Sequence, residues 1–268
     1  MRSNLRRTGA IVLVLLLAAT LVSIMTRGPG PDWNRSSGIQ QPVSDFGEVA
    51  ARLVGGLGAT HRGGKVIFST SFEHGLNDVD ITDVLGTGAE IQFNPSKSFR
   101  GGNSVDLTAG DAVDDFASLR KFFYPIEDSP VGVESAFCLN VNTQVRVAIG
   151  LEHYQPDEAF LFQVRIDGSS KELEYLGSAD WVKIADVPGL SNSAQIFHVL
   201  KMIVDVKAGK YLRVILDTDQ FEVNDDAWTI ATGEPYYNVA NISAANLQAG
   251  ATRTIQIDDF VLTMQEEG

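Results

Sequence analysis

Two adjacent carboxylates, Asp258 and Asp259, lie at a fault in the alternation of the last predicted strand, Arg253–Met264. The apolar side chains of this strand occupy odd positions before the acidic pair and even positions after it. Because side chains alternate along a strand with a period of two, one extra residue must enter the ladder here, which predicts a β-bulge. The bulge would re-aim two carboxylates, which repel each other unless a cation, a hydrogen-bond donor or water intervenes.

A third acid, Glu73, ends the first predicted strand, in the segment Phe68–Gly75 with the sequence FSTSFEHG. This segment lies near the opposite end of the folded region from Arg253–Met264. We expect the domain to be built around the meeting of its first and last strands, which would bring Glu73 close to Asp258 and Asp259. The alternative is that Asp258 faces solvent while Asp259 hydrogen-bonds a turn.

Exposed aromatic rings form a second group of candidates, because the C–H faces of sugars stack on such rings. On a concave sheet or in rim loops they would make a carbohydrate-binding site. The candidates are Tyr154, Trp181, Trp228, Tyr236 and Tyr237. The competing interpretation of each ring is a position in the core or at an interface.

The histidines and the single cysteine do not have the spacing of a known site. His61, His74, His153 and His198 match neither a metal motif nor a catalytic triad, and the parity of His198 favours a hydrogen-bonded core residue. Cys138 lies in an apolar run, which predicts a buried, unreactive thiol. A lone cysteine excludes an intramolecular disulfide framework and a cysteine-based zinc site.

Short alternating strands must position these side chains from Lys65 onward. Apolar residues occupy every second position of Gln144–Leu151 and of Ala159–Ile166, and a predicted hairpin joins Ile196–Val206 to Lys210–Asp217. Strands of this kind, separated by Gly, Asn and Asp turns, indicate an antiparallel two-sheet sandwich. We therefore predict one all-β domain over residues 65–266.

Three further segments precede the predicted sandwich. Residues 1–26 contain arginines followed by the uncharged run Gly9–Thr26, typical of a signal peptide or signal anchor. Residues 9–26 would contact the membrane if uncleaved, and the rest would be extracytoplasmic, either membrane-anchored or secreted. Residues 27–43 are typical of a linker, being rich in Gly, Pro and Ser.

Residues 44–58 predict one short amphipathic helix. Asp45 can cap its start, with Glu48 as the partner in a capping box, and glycines follow its end. Apolar residues at helical spacing make a stripe along Phe46–Leu57. This stripe would either dock on the sandwich or pair with a second subunit in a homo-oligomer.

The chain is acidic, with a net charge of −13 over 268 residues. Residues 1–27 contain arginines and no acid, so the remainder is more acidic than the whole chain. A surface of this sign repels phosphate groups, so we expect no nucleic-acid partner and no attraction to an anionic membrane surface.

Three parts of the sequence, in this order, resemble a known pattern. They are Phe68–Gly75, Ser98–Gly110 (SFRGGNSVDLTAG), and the pair Val204–Asp217 and Thr254–Thr263 (TIQIDDFVLT). Together they are similar to jelly-roll domains of the concanavalin A-like lectin/glucanase type. Within that type they resemble carbohydrate-binding modules that begin with FE-x-G and end with an I-DD-x-x-L strand. The resemblance covers about residues 65–265 and implies a jelly-roll form of the sandwich.

Calcium is implied by the same resemblance, because such modules often hold a structural calcium ion between the first and last strands. Carried over by position, Glu73, Asp258 and Asp259 would be the carboxylate ligands, and Ca²⁺ coordinates about six to eight oxygens. The sequence departs from the pattern after FE-x-G, where Leu76–Val79 replaces a segment that usually contains Trp. This departure concerns sugar binding more than the fold.

Catalytic acids are not recognisable. Glucanases of this type carry E-x-D-x-E on one strand, so that nucleophile and acid converge on one glycosidic bond. Here Glu172 and Glu174 flank Leu173, and no third acid follows on the strand. The acidic segment Asp78–Asp83 lacks the glycine of an EF-hand loop and is interpreted as a solvated loop.

We therefore expect a non-catalytic extracytoplasmic binding module for a polysaccharide or glycoconjugate, with a structural calcium ion. The alternative is a structural or assembly protein of a surface, appendage or virion that uses the sandwich as a rigid block. A lyase or hydrolase with an unrecognised site is a third interpretation, so the question of enzymatic activity stays open.

Overall fold

A computed structural model describes residues 64–99, 102–124, 129–140 and 144–266. The predictions for residues 1–26, 27–43 and 44–58 lie outside the described residues. Within the described ranges the chain forms β-strands and no α-helix, as predicted for the sandwich. In this part of the chain no helix has the length and apolar character needed to cross a membrane.

The first sheet is antiparallel and has eight strands. They are β1 (Lys65–Thr70), β3 (Glu90–Asn94), β4 (Ser104–Ala109), β6 (Val131–Cys138), β11 (His198–Asp205), β12 (Lys210–Leu216), β13 (Asp219–Glu222) and β16 (Arg253–Met264). Their order is β13-β12-β11-β6-β16-β4-β3, and β1 also pairs with β16. The first and last strands are therefore neighbours, which confirms the prediction.

The second sheet is also antiparallel and has eight strands. They are β2 (Ile81–Leu85), β5 (Phe116–Phe123), β7 (Val145–Tyr154), β8 (Glu158–Asp167), β9 (Glu172–Leu176), β10 (Trp181–Asp186), β14 (Trp228–Ala231) and β15 (Tyr237–Asn246). Their order is β10-β9-β8-β7-β15-β5-β2, and β14 pairs with β8. The two sheets confirm the predicted all-β, antiparallel architecture.

One hydrophobic core is formed by alternate residues of the strands in both sheets. On β7 and β8, the core residues are Val145, Val147, Ile149, Leu151, Phe162, Val164 and Ile166. This parity was expected from the alternation in the sequence. The intervening residues of the same strands point away from the core, which creates a second face on this sheet.

The bulge predicted in β16 is present. Asp258 pairs with Ala136 and Phe260 pairs with Ser135, so Asp259 is the extra residue. Its backbone has a left-handed φ of 50°, as expected for a bulge residue. The side chains that reach the core on either side of it are Ile255, Ile257, Phe260 and Leu262. The switch from odd to even positions is confirmed.

The interpretation of Asp78–Asp83 as a solvated loop holds for the bend at the exposed Asp80 and is wrong for the rest of the segment. β2 begins at Ile81, inside this segment. The Asp78 carboxylate accepts a hydrogen bond of 2.9 Å from the Thr70 hydroxyl, and the Asp80 carboxylate accepts one of 2.8 Å from the Phe122 amide. These acids tie the chain after β1 to the second sheet.

Candidate functional site

Glu73 lies just after β1, and its carboxylate is held by backbone and side-chain donors. Its Oε1 accepts hydrogen bonds from the amides of Gly102 (2.8 Å) and Asn103 (3.2 Å). Its Oε2 accepts one of 2.8 Å from the side-chain amide of Asn103. The donors belong to the connection that leads into β4.

Asp258 meets the same connection at its other end. Its Oδ2 accepts a hydrogen bond of 2.7 Å from the Phe99 amide, and its Oδ1 accepts one of 2.7 Å from the Asp259 amide. Asp258 is buried, and 8% of Asp259 is exposed. The carboxylates of Glu73 and Asp258 are thus both hydrogen-bonded to the connection between β3 and β4.

A metal cluster is not found at these acids. The described residues contain no group of three or more His, Cys, Asp or Glu side chains that could hold a metal ion. The structure places hydrogen-bond donors at the carboxylates of Glu73 and Asp258, one of the arrangements that relieves their charge. The calcium ion stays a prediction.

The aromatic candidates all lie in or beside the second sheet. Tyr154 ends β7 and stacks on Tyr237, with ring centroids 4.4 Å apart and planes inclined by 16°. Tyr236 is 48% exposed and meets the His153 ring edge to face. Trp228 begins β14 and is half-buried opposite Leu161. The stacked pair provides a broad aromatic surface at one end of the sheet.

Trp181 begins β10 and packs under a guanidinium group. The Arg165 Cζ lies 3.7 Å from the centre of the Trp181 ring. Arg165 also donates a hydrogen bond of 2.6 Å from Nε to the Glu174 carboxylate. Cation–π contact and ion pair together fix the position of the indole.

Polar side chains occupy the face of the second sheet that points away from the core, here called the outer face. Cross-strand pairing places Gln163 of β8 opposite Gly150 of β7, Gly150 opposite Asn241 of β15, and Asn241 opposite Arg120 of β5. Paired residues lie on the same face of a sheet, so these four form one row across four strands.

Asn241 is the central polar group of this row. It is only 8% exposed, and its side chain forms no hydrogen bond with the described residues. Its amide group lies over Gly150, because a Cβ added to that glycine would meet both Asn241 Oδ1 and Nδ2 at 2.8 Å. The Gln163 side chain, in the same row, is likewise without a hydrogen bond to the described residues. Two carboxamides therefore remain available to a ligand.

Charged groups flank this row. Arg120 Nη2 lies 2.9 Å from Glu152 Oε1, and the Tyr154 hydroxyl donates a hydrogen bond of 2.8 Å to the other oxygen of Glu152. Burial, followed by this hydrogen bond, raises the pKa of Tyr154. Burial, followed by the negative charges of Glu234 and Glu152, also raises the pKa of Tyr237. The stacked phenols therefore act as hydrogen-bond donors and are poorly suited to be general bases.

A binding role for Asn241, Gln163 and Gly150 was not predicted from the sequence. Asn241 lies on β15, a strand that the sequence did not reveal because Ala and Asn have weak strand preferences. The signal that could have found it is the alternation of Val239, Asn241 and Ser243 with core residues. His198 was correctly expected in the core, where its Nδ1 lies 2.7 Å from Asp217 Oδ2.

Comparison with solved structures identifies the architecture. The endo-β-1,4-glucuronan lyase of the fungus Trichoderma reesei matches with a TM-score of 0.54 at 12% sequence identity, covering 74% of this chain and 95% of that chain. The fold is the concanavalin A-like jelly roll. At this identity, the likeness concerns the fold alone.

Two other solved structures show weaker similarity to this jelly roll. A GH16 protein of the Bacteroides ovatus mixed linkage glucan PUL, in complex with a product, has a TM-score of 0.45 at 13% identity, covering 74% of this chain and 100% of that chain. The carbohydrate recognition domain of Emp47p has a TM-score of 0.42 at 12% identity, covering 68% and 94%. No family model and no curated protein matches the sequence.

Proposed function

We propose that this chain is a non-catalytic, carbohydrate-binding jelly-roll module that holds a glycan on the outer face of its second sheet. The main support for this proposal is the environment of the Asn241 side chain. Asn241 is 8% exposed as a residue, and its carboxamide has no hydrogen-bond partner among the described residues, so its donors and acceptor have a free-energy cost unless a ligand or water satisfies them. Sugar hydroxyls, which both donate and accept, are suitable partners.

The surroundings of Asn241 support a sugar. Gly150 leaves room for the Asn241 amide, which lies over it, and the stacked rings of Tyr154 and Tyr237 offer an apolar surface for the C–H face of a pyranose. The solved neighbours are carbohydrate-active or carbohydrate-binding jelly-roll proteins. Their names support a carbohydrate-related role.

The protonated state of Tyr154 and the ion pairs of Glu172 and Glu174 favour binding over catalysis on the outer face. The Tyr154 hydroxyl is committed as a donor to Glu152, and its raised pKa opposes its use as a base. Glu172 and Glu174, the alternating acids noted in the sequence, lie beside Lys183 and Arg165 respectively.

We also propose export of the domain, for which the apolar run in residues 1–26 is the support.

The proposal is tested by presenting the purified full chain to an array of polysaccharides and then comparing two alanine variants on the glycan that binds best. Gly150→Ala should weaken binding by about tenfold or more, because the new methyl group displaces the Asn241 amide. Gly189→Ala is the matched control, because a Cβ there meets nothing within 4 Å. Equal binding by both variants, or no glycan bound by the parent chain, would contradict the proposal.

A further inference from the structure

We propose that the glycan recognised by the outer face is electrically neutral. This inference rests on the proposed function and narrows it to one class of ligand. The evidence is that the arginine and lysine side chains considered on this face form ion pairs with carboxylates of the protein. Recognition of a uronate or sulfate normally needs an arginine or lysine that is free to form charge-assisted hydrogen bonds with it.

The two arginines nearest the free carboxamides already have carboxylate partners. Arg120 pairs with Glu152 at 2.9 Å and lies 3.8 Å from Asp83. Arg165 pairs with Glu174 at 2.6 Å, and both side chains are at least four-fifths buried. An anionic sugar would therefore have to displace a carboxylate of the protein from either arginine.

The more distant cations on this face are paired as well. Lys183 Nζ lies 2.8 Å from Glu172 and 2.7 Å from Asp186. Arg146 Nη1 lies 3.4 Å from Asp114 Oδ1. Some of these cations meet two acids, so the carboxylates exceed the cations in this region and oppose the approach of an anion.

Uncharged groups remain to recognise the ligand. The carboxamides of Asn241 and Gln163 each offer donors and an acceptor without net charge, and they lie in one row with Gly150 between them. Such groups match the hydroxyls of a neutral hexose or pentose polymer. The outer face therefore offers uncharged hydrogen-bonding groups, whereas a site for uronic acid or sulfated polymers would need cations that are free to bind the anion.

Affinity electrophoresis at low ionic strength tests this inference with the full chain. The gels contain mixed-linkage β-glucan, galactomannan or dextran as neutral polymers, and alginate or polygalacturonate as anionic ones. The inference predicts retardation by at least one neutral polymer and none by either anionic polymer. Retardation by the anionic polymers alone, or more strongly than by any neutral one, would overturn the inference and leave glycan binding intact.

A failure of the proposed function looks different, because the parent chain would then be retarded by neither class of polymer. That result would overturn the proposed function and, with it, this inference. The two failures are therefore distinguishable in the same set of gels.

Neutralising one carboxylate on the outer face gives a second test, because it should increase the affinity of the protein for an anionic polymer. Glu174→Gln frees Arg165 from its partner and should raise affinity for alginate by about tenfold or more relative to the parent. Glu152→Gln removes the closer carboxylate partner of Arg120, which keeps its 3.8 Å contact with Asp83, so the gain should be smaller; this variant is the substitute if the first one unfolds on thermal melting. Glu222→Gln changes the net charge equally but lies on β13 of the first sheet, so alginate affinity should stay unchanged. Equal gains in all three variants would contradict the inference.

Discussion

At the scale of single residues, Asp167 shows how neighbouring donors overcome the effect of burial. Burial would raise the pKa of Asp167, but hydrogen bonds from the Ser169 hydroxyl and from the Ser170 and Ser169 amides lower it. A carboxyl whose pKa is lowered in the folded state adds stability above its unfolded pKa of about 3.9. That stability is lost as the pH falls through the lower, folded pKa.

Ser169→Ala removes the hydroxyl hydrogen bond of 2.6 Å and should raise the pKa of Asp167. Near neutral pH the variant should be less stable by about 0.5–1 kcal/mol, a value reduced for the partial exposure of Asp167. The difference should shrink below about pH 4, where the carboxyl becomes protonated in both proteins. Carboxyl titration by NMR and urea unfolding at several pH values measure both effects, with Ser178→Ala as the exposed control. A gap that widens in acid would refute this assignment.

The residues differ in how far the sequence revealed them. The bulge at Asp259 was predictable, because a change of parity within an apolar strand requires an extra residue in the ladder. Asn241 was not predictable, because its importance comes from lying over Gly150, which is distant in sequence and adjacent only across the sheet. The donors to Glu73 and Asp258 were equally hidden, since a connection between strands supplies them.

At the scale of strands, the outward side of β11 and β6 carries a buried ion pair. Lys201 Nζ lies 2.7 Å from Glu266 Oε1, with side-chain exposures of only 2% and 1%. The Thr263 hydroxyl also donates to Glu266, and Glu134 lies opposite Lys201 in the ladder. This pair ties the end of the chain to the first sheet.

Glu266→Ala should destabilise the fold by about 3 kcal/mol, because it removes a carboxylate partner of a buried ammonium group. Asp226→Ala breaks the exposed Lys210–Asp226 pair and should cost less than about 1 kcal/mol. Urea unfolding followed by tryptophan fluorescence compares the two variants with the parent. Similar losses in both would show that burial does not determine the strength of the Lys201–Glu266 pair.

Strands with clear alternation were predictable, and strands of small or polar residues were not. The hairpin of β11 and β12 was found because Leu200, Met202 and Val204 alternate with polar or outward residues. β15, at the centre of the second sheet, has the sequence YNVANISAAN, in which the only aromatic residue is Tyr237 and the only β-branched residues are Val239 and Ile242. The strand is held by two neighbours, β5 and β7, so pairing overrides its weak intrinsic preference.

At the scale of the whole molecule, calcium remains the untested part of the sequence prediction. If Ca²⁺ binds only the folded state at Glu73, Asp258 and Asp259, it should raise the melting temperature by mass action. About 2.7 kcal/mol becomes available at a hundredfold excess over Kd. Differential scanning calorimetry with calcium and with EDTA measures this shift, and Asp259→Ala should abolish it. Identical melting temperatures in both buffers would exclude a structural calcium ion of useful affinity.

The jelly-roll fold was predictable as a whole because its evidence is distributed. Regular alternation indicated a sandwich, and three ordered segments indicated the concanavalin A-like form, which the structure shares with the Trichoderma reesei enzyme. The ligand-binding face was only partly predictable, because strand pairing joins groups from β5, β7, β8 and β15. The aromatic candidates were predicted as residue types, and the structure shows that they lie in or beside that sheet. The row of polar groups beside them follows from the strand register, which the sequence did not provide.

Binding of a glycan to the outer face of the second sheet can be observed residue by residue in an amide NMR titration with the glycan selected on the array. We expect the largest chemical-shift changes at Asn241, Gly150, Gln163 and Arg120, with little change along β11, β12 and β13 of the first sheet. Changes confined to the first sheet would contradict the proposed site. An absence of any change at saturating glycan would contradict binding itself and favour a structural role for the sandwich.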